Sequence, residues 1–313
     1  MRKLIRWTTL AVALGALAAC GGGGGGGGGP AIEEQLAPAE ASPTAATANV
    51  TAGNYAAEGE KLTPVVLNAA AGAQTLEGAF ALGGGPANAT VHGIVQRVLT
   101  QVTQVTSGRE QAQKVDEETI TCDSGSVEVT YEYDDANAIT VGDKVTFVSN
   151  GCVIEGTPLT GAYSARFTRF NADYDFALQL AFVNLSDGQV TLHGWADADI
   201  IFATTSITYR GLTTTVEGVQ SQWFHTIVTQ NAGASLSLEG YVKLNGVAYF
   251  FDQVTPFTVN TISGYPTSGV LRIVDAQGDS LEVTALADRF RFSFYEVGSD
   301  TSVGPTELLH TDL

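Results

Sequence analysis

The chain has 313 residues, 44% of them hydrophobic, with 33 acidic against 15 basic side chains. Three of the basic residues lie in the first six positions and every acidic one lies beyond them, so the remainder carries 12 basic against 33 acidic groups, a net charge of −21. A surface of that sign argues against nucleic-acid and anionic-membrane binding, and four histidines leave few candidates for a hydrolytic triad.

Arg2, Lys3 and Arg6 form a positive start, and Leu10 to Leu17 supply an apolar stretch too short to span a bilayer as a helix. Together they read as a signal peptide over residues 1–19. Leu17-Ala18-Ala19-Cys20 resembles the lipobox of bacterial lipoproteins, a branched apolar residue and two small ones before the cysteine. The resemblance implies cleavage before Cys20 and a diacylglyceryl group on its sulfur. Small residues admit the peptidase to the backbone, and acyl chains contribute about 0.8 kcal/mol per buried CH₂. An ordinary secretory signal with a chance cysteine is the competing reading. Gly21 after the lipid site, in place of Asp, resembles lipoproteins forwarded to the outer membrane. The expected location is therefore the cell envelope, with acylated Cys20 in a membrane. Gly21 to Gly29 form an unbroken glycine run closed by Pro30, and an Ala-, Thr-, Pro- and Glu-rich composition continues to about Gly59. Residues 20–59 are expected to be a disordered tether.

Residues 60–112 read as a helical prelude to the body. Thr63 can cap a helix with Pro64 in its first position, Leu62 and Leu67 fit a hydrophobic staple, and Gly72 supplies a stop. Val91, Ile94, Val95, Val98, Leu99, Val102 and Val105 recur at spacings of three and four, predicting a second helix from about Ala87 to Gln104.

After Gln113 the period changes to two. Val127, Val129, Tyr131 and Tyr133 alternate with Ser126, Glu128, Thr130 and Glu132, which gives one buried and one wet face. The same alternation recurs in Tyr174-Phe176-Leu178-Leu180-Phe182, in Leu281-Val283 and in Phe290-Phe292-Phe294. Gly142-Asp143, Asp187-Gly188, Asn245-Gly246 and Gln277-Gly278 separate the runs as turns. Asn245-Gly246 is the strongest of them, because a type I′ turn needs φ > 0 at both central positions. About twelve strands without crossover helices predict a mainly β fold. The expected form is a curved antiparallel sheet, sandwich or open barrel over residues 113–298, with one or two N-terminal helices packed on it and a tail at 299–313. Cys122 with Ser124-Gly125-Ser126, Gly142-Asp143, Asn150-Gly151-Cys152 and Gly156 or Gly161 loosely resembles proteobacterial envelope lipoproteins, a group that brings no activity to carry over.

Of the three cysteines, Cys20 is the lipid site; Cys122 and Cys152, exported to an oxidising compartment, are expected to bridge. Asp134, Asp135, Asn137 and Asp143 gather oxygens that a Ca²⁺ ion could use, but they match neither an EF-hand nor a nonapeptide loop and read better as an acidic turn. Asp275 and Asp279 read as a hairpin end. His193, Trp195, Asp197 and Asp199 share one strand face, where a histidine beside carboxylates could act as a base or metal ligand and the indole could stack on a sugar; a solvated face is the bland alternative. Trp223-Phe224-His225 is an aromatic patch for core or interface. No G-x-S-x-G, H-E-x-x-H, P-loop or dinucleotide fingerprint is present, so no catalytic, cofactor or metal residue is assigned. The functional expectation is a lipid-anchored envelope lipoprotein with a non-enzymatic binding or scaffolding domain, its partner an envelope protein, glycan or lipid. The alternatives are a carrier of a hydrophobic ligand in a cupped sheet and a carbohydrate-binding or carbohydrate-active module.

Overall fold

The computed structural model describes residues 31–80, 115–134, 138–154, 157–171, 175–188, 190–201, 204–216, 219–230, 235–260, 265–299 and 301–310. The predicted helix from Ala87 to Gln104 lies outside them, as does Cys20. The first strands are β1 (Val115–Thr121), β2 (Ser124–Glu132), β3 (Lys144–Ile154), β4 (Thr157–Phe170), β5 (Phe176–Ser186), β6 (Val190–Ile201) and β7 (Thr204–Val216). They continue with β8 (Val219–Gln230), β9 (Ser235–Leu244), β10 (Val247–Val259), β11 (Pro266–Val274), β12 (Ser280–Ala285), β13 (Arg289–Tyr295) and β14 (Ser302–Leu309). All fourteen pair in chain order in one antiparallel sheet, open, with β1 and β14 at its edges.

Period-two alternation sorts the two faces. In β13, Phe290, Phe292 and Phe294 point to the core while Arg289, Arg291 and Ser293 point outward. The same face of β5 buries Phe176, Leu178, Leu180 and Phe182, and that of β9 buries Leu236, Leu238, Val242 and Leu244. One continuous apolar cluster results, drawing residues from β2 through β13. The turn at Asn245-Gly246 has φ of 51° and 82° and pairs Leu244 with Val247, the two-residue hairpin expected from the sequence. Within the strands, Gly240 allows a close approach: a Cβ there would stand 2.6 Å from the Phe224 carbonyl oxygen.

Helix α1 (Tyr55–Phe80) packs on β9, β12 and β13. Strands four places apart in a flat sheet are separated by about 19 Å, whereas a helix with its side chains is about 10–12 Å across. A single turn of α1 reaches both sides of the helix: Glu58 and Lys61 bond Tyr249 on β10 while Gly59 meets Phe292 on β13, three strands and about 14 Å away in a flat sheet, so the sheet curls around the helix. Leu62, Val65 and Val66 are buried in the shared core, and Gly59 lies so close to the Phe292 ring that a Cβ would fall 2.6 Å from it.

The helix differs from its expected bounds at both ends. It begins eight residues before Thr63, after a turn in which the Asn54 and Tyr55 N–H groups donate to the Thr51 carbonyl. Thr63 is inside the helix, its hydroxyl returned to the Gly59 carbonyl at 2.8 Å, and neither the exposed Pro64 nor Gly72 ends it.

Two further expectations are corrected. Residues 31–59 are not a disordered tether: Ile32, Leu36, Ala48 and Val50 are buried, and Tyr55 onward is helix. These scattered apolar residues find partners on distant strands, which local composition cannot register. The C-terminal segment 299–313 is not simply a tail, because Ser302–Leu309 forms the edge strand β14 on β13. Cys122 and Cys152 form a disulfide with Cα atoms 5.5 Å apart, tying the β1–β2 turn to β3.

Candidate functional site

His193, Trp195, Asp197 and Asp199 do share the outer face of β6, opposite the core residues Leu192, Ala196, Ala198 and Ile200. The two carboxylates and the indole are already engaged there, whereas the buried Nδ1 of His193 has no hydrogen-bond partner among the described residues. Asp199 accepts two hydrogen bonds from the Arg169 guanidinium at 3.2 and 2.5 Å, and Asp197 pairs with Arg210. Burial pushes the Asp197 carboxyl up, opposed by the charge of Arg210. The Trp195 indole N–H donates to the Ala37 carbonyl at 2.9 Å.

That bond belongs to a larger feature. The segment from Ile32 to Asn54 crosses the outer face of the sheet as a strap. At its start, a 3₁₀ turn at Ile32–Gln35 sets Ile32 and Leu36 against Ala181, with Ala162, Val183 and Trp195 around it. Glu33 accepts from the Ser164 hydroxyl at 2.8 Å and lies 3.7 Å from the Lys144 ammonium. Further along, Glu40 pairs with Lys243 at 2.8 Å and accepts from Gln222. Lys243 in turn sits 4.7 Å over the Phe224 ring, which the alternation of β8 turns outward. The strap then reaches the end of the sheet where β9 turns into β10. Thr47 and Ala48 donate to the Ala248 carbonyl, Ala276 donates to the Ala48 carbonyl, and the Val50 N–H donates to Asp275 at 3.0 Å. From there the chain enters α1 on the opposite face.

Electrostatics follow the same path. Burial works to raise the Glu33 carboxyl, but its own backbone N–H, the Ser164 hydroxyl and the charges of Lys144 and Arg166 outweigh it and hold it low. Hydrogen bonds from Lys243 and Gln222 hold Glu40 low as well. Where the strap gives way to the helix, the Tyr249 hydroxyl donates to Glu58 and accepts from Lys61, each at 2.6 Å. This clasp fastens α1 to β10.

The acidic turns serve the backbone. Asp143 is buried and accepts from the N–H groups of Asp134 (3.1 Å) and Thr140 (2.9 Å) and from the Thr140 hydroxyl (2.9 Å). Asp135 and Asn137 lie outside the described residues. Asp275 accepts from Val50, Gln277 and Asp279, and Asp279 accepts from Val297. Among the described residues no group of three or more His, Cys, Asp or Glu side chains is placed to hold a metal ion. Trp223 and His225 point into the core against Tyr209 and Phe251, the Trp223 indole N–H donating to the Ser221 hydroxyl at 2.8 Å.

Sequence reasoning missed Glu33, Glu40 and the strap. The one local signal was the apolar pair Ile32 and Leu36, four apart, which alone is too short to mark an element. Comparison with protein-family models, with curated proteins and with solved structures returns no match.

Proposed function

We propose that the chain is a lipid-anchored lipoprotein of the cell envelope whose β domain binds or scaffolds another envelope component without catalysis. The observation that carries the reading is the sequence Leu17-Ala18-Ala19-Cys20 set close before a packed body. Twelve positions separate Cys20 from Ile32, the first buried residue of the strap. Fully extended, that lead spans at most about 40 Å, so the body is held beside the membrane and does not stand off on a forty-residue stalk. The outward carboxylates of β6 are engaged by guanidinium groups and those of the turns by backbone N–H groups, which suits a binding surface better than general acid–base chemistry. Gly21 points to the outer membrane. Fractionation of cells carrying wild-type or Cys20→Ala protein tests this: the wild type is expected in the membrane fraction and the variant in the soluble periplasm or culture medium. Membrane retention of the variant would defeat the anchor.

A second reading, a carrier of a hydrophobic ligand, is favoured by the continuous apolar face that the sheet curls around α1. Native mass spectrometry of the exported body checks it. A bound lipid of defined mass would support the carrier, and apo protein alone would leave scaffolding.

A further inference from the structure

We propose that Ile32 to Ala46 is a releasable strap, giving the anchored body two reaches from the membrane. The inference rests on the anchored reading for its consequence. The strap is fastened unequally along its length. Its membrane-proximal part buries only Ile32 and Leu36 in a small satellite cluster and is otherwise held by Glu33, by Glu40 and by the Trp195 bond to the Ala37 carbonyl. From Ala37 to Thr47 every residue is exposed except the half-buried Pro43 and Ala46. The distal part is different: Thr47 both donates to and accepts from the Ala248 backbone, Ala48 and Val50 belong to the main core, and Val50 is clamped by the buried Asp275. Release therefore stops at Thr47, and α1 stays seated.

Attachment at Cys20 also sets the direction of load. A pull from the membrane reaches Ile32 first, so the fasteners are stressed one after another and not all at once. Elements held by few apolar contacts and exposed polar pairs open below the global unfolding free energy. With the strap docked, the lead from Cys20 spans at most about 40 Å; released as far as Thr47, it spans at most about 95 Å. The two states let one body serve a partner close to the membrane or farther from it.

Thiol labelling tests release directly. Ala181 is 1% exposed beneath Ile32 and Leu36, whereas Ala165 is 0% exposed in the main core. Labelling is followed on full-length acylated protein in phospholipid vesicles carrying Ala181→Cys, Ala165→Cys or, as a second buried probe beneath the strap should the first misfold, Ser164→Cys, which lies against Glu33. The thiols beneath the strap are expected to label at least tenfold faster than the core thiol. Adding Glu33→Gln with Glu40→Gln is expected to speed them a further two- to tenfold while the core thiol is unchanged. Equal labelling above and within the core would overturn the strap. Vesicle binding that persists in Cys20→Ala protein would instead overturn the anchor, and with it the two reaches, leaving the measured opening intact.

Discussion

Glu33 and Glu40 meet lysines that arrive from β3 and β9, and both carboxyls are held below the ordinary glutamate value of 4.5. A group whose folded pKa is depressed contributes stability that is fully present above its unfolded pKa and is lost as pH falls through the folded one. Strap docking is therefore expected to be insensitive to pH from about 7 down to about 5 and to weaken below about 4.5. Trp195 emission reads this out, because its indole lies under the strap while Trp223 is enclosed in the core and stays constant. A red shift on acidification that disappears in Glu33→Gln/Glu40→Gln protein is the expected result; an unchanged spectrum in the parent would contradict it. At the other end of the strap, Asp275→Ala leaves the N–H groups of Val50, Gln277 and Asp279 without their shared acceptor. The expected loss is about 2–3 kcal/mol in urea unfolding, and a loss under 1 kcal/mol would mean that water replaces the carboxylate.

At the scale of elements, α1 and β13 are joined where Gly59 meets the Phe292 ring. Phe292→Ala is expected to cost about 3–5 kcal/mol by leaving a cavity, whereas Gly59→Ala overpacks the contact and is expected to cost about 1–3 kcal/mol. Measured together in a double-mutant cycle, the two should be far from additive, since the smaller ring position relieves the added methyl. The strands themselves were legible because their cause is local. Alternation in Phe290-Phe292-Phe294 and the paired positive φ of Asn245-Gly246 are written into adjacent residues. β14 was not legible: it lies at an edge, its residues are mostly exposed, and Gly304-Pro305 interrupts its register with β13. Pro64 misled for a related reason. A proline at a helix start and one inside a helix look alike in sequence, and only the Thr63 hydroxyl folding back on Gly59 separates them. The His193 to Asp199 face was located correctly, but its ion pairs depend on Arg169 and Arg210 from neighbouring strands, and its cover on a segment more than 150 residues earlier.

For the whole molecule, the strap, the sheet and the helix make one continuous path that starts on the outer face, rounds the end of the sheet and finishes in the core. The disulfide acts at the open end of this architecture, near edge strand β1. Closing the loop between Cys122 and Cys152 restricts the unfolded chain by about 3–4 kcal/mol, so reduction is expected to lower the unfolding free energy by that amount, seen as a lower urea midpoint, with little change in the native spectrum. An unchanged midpoint would place the stability of β1–β3 elsewhere. Everything about where the body works turns on Cys20. Intact-mass and N-terminal peptide mass spectrometry of the protein isolated from its native cells tests the proposed anchor. A mature chain that begins at Cys20 and carries a diacylglyceryl group on its sulfur is expected. A mature chain beginning elsewhere, or an unmodified Cys20, would contradict it.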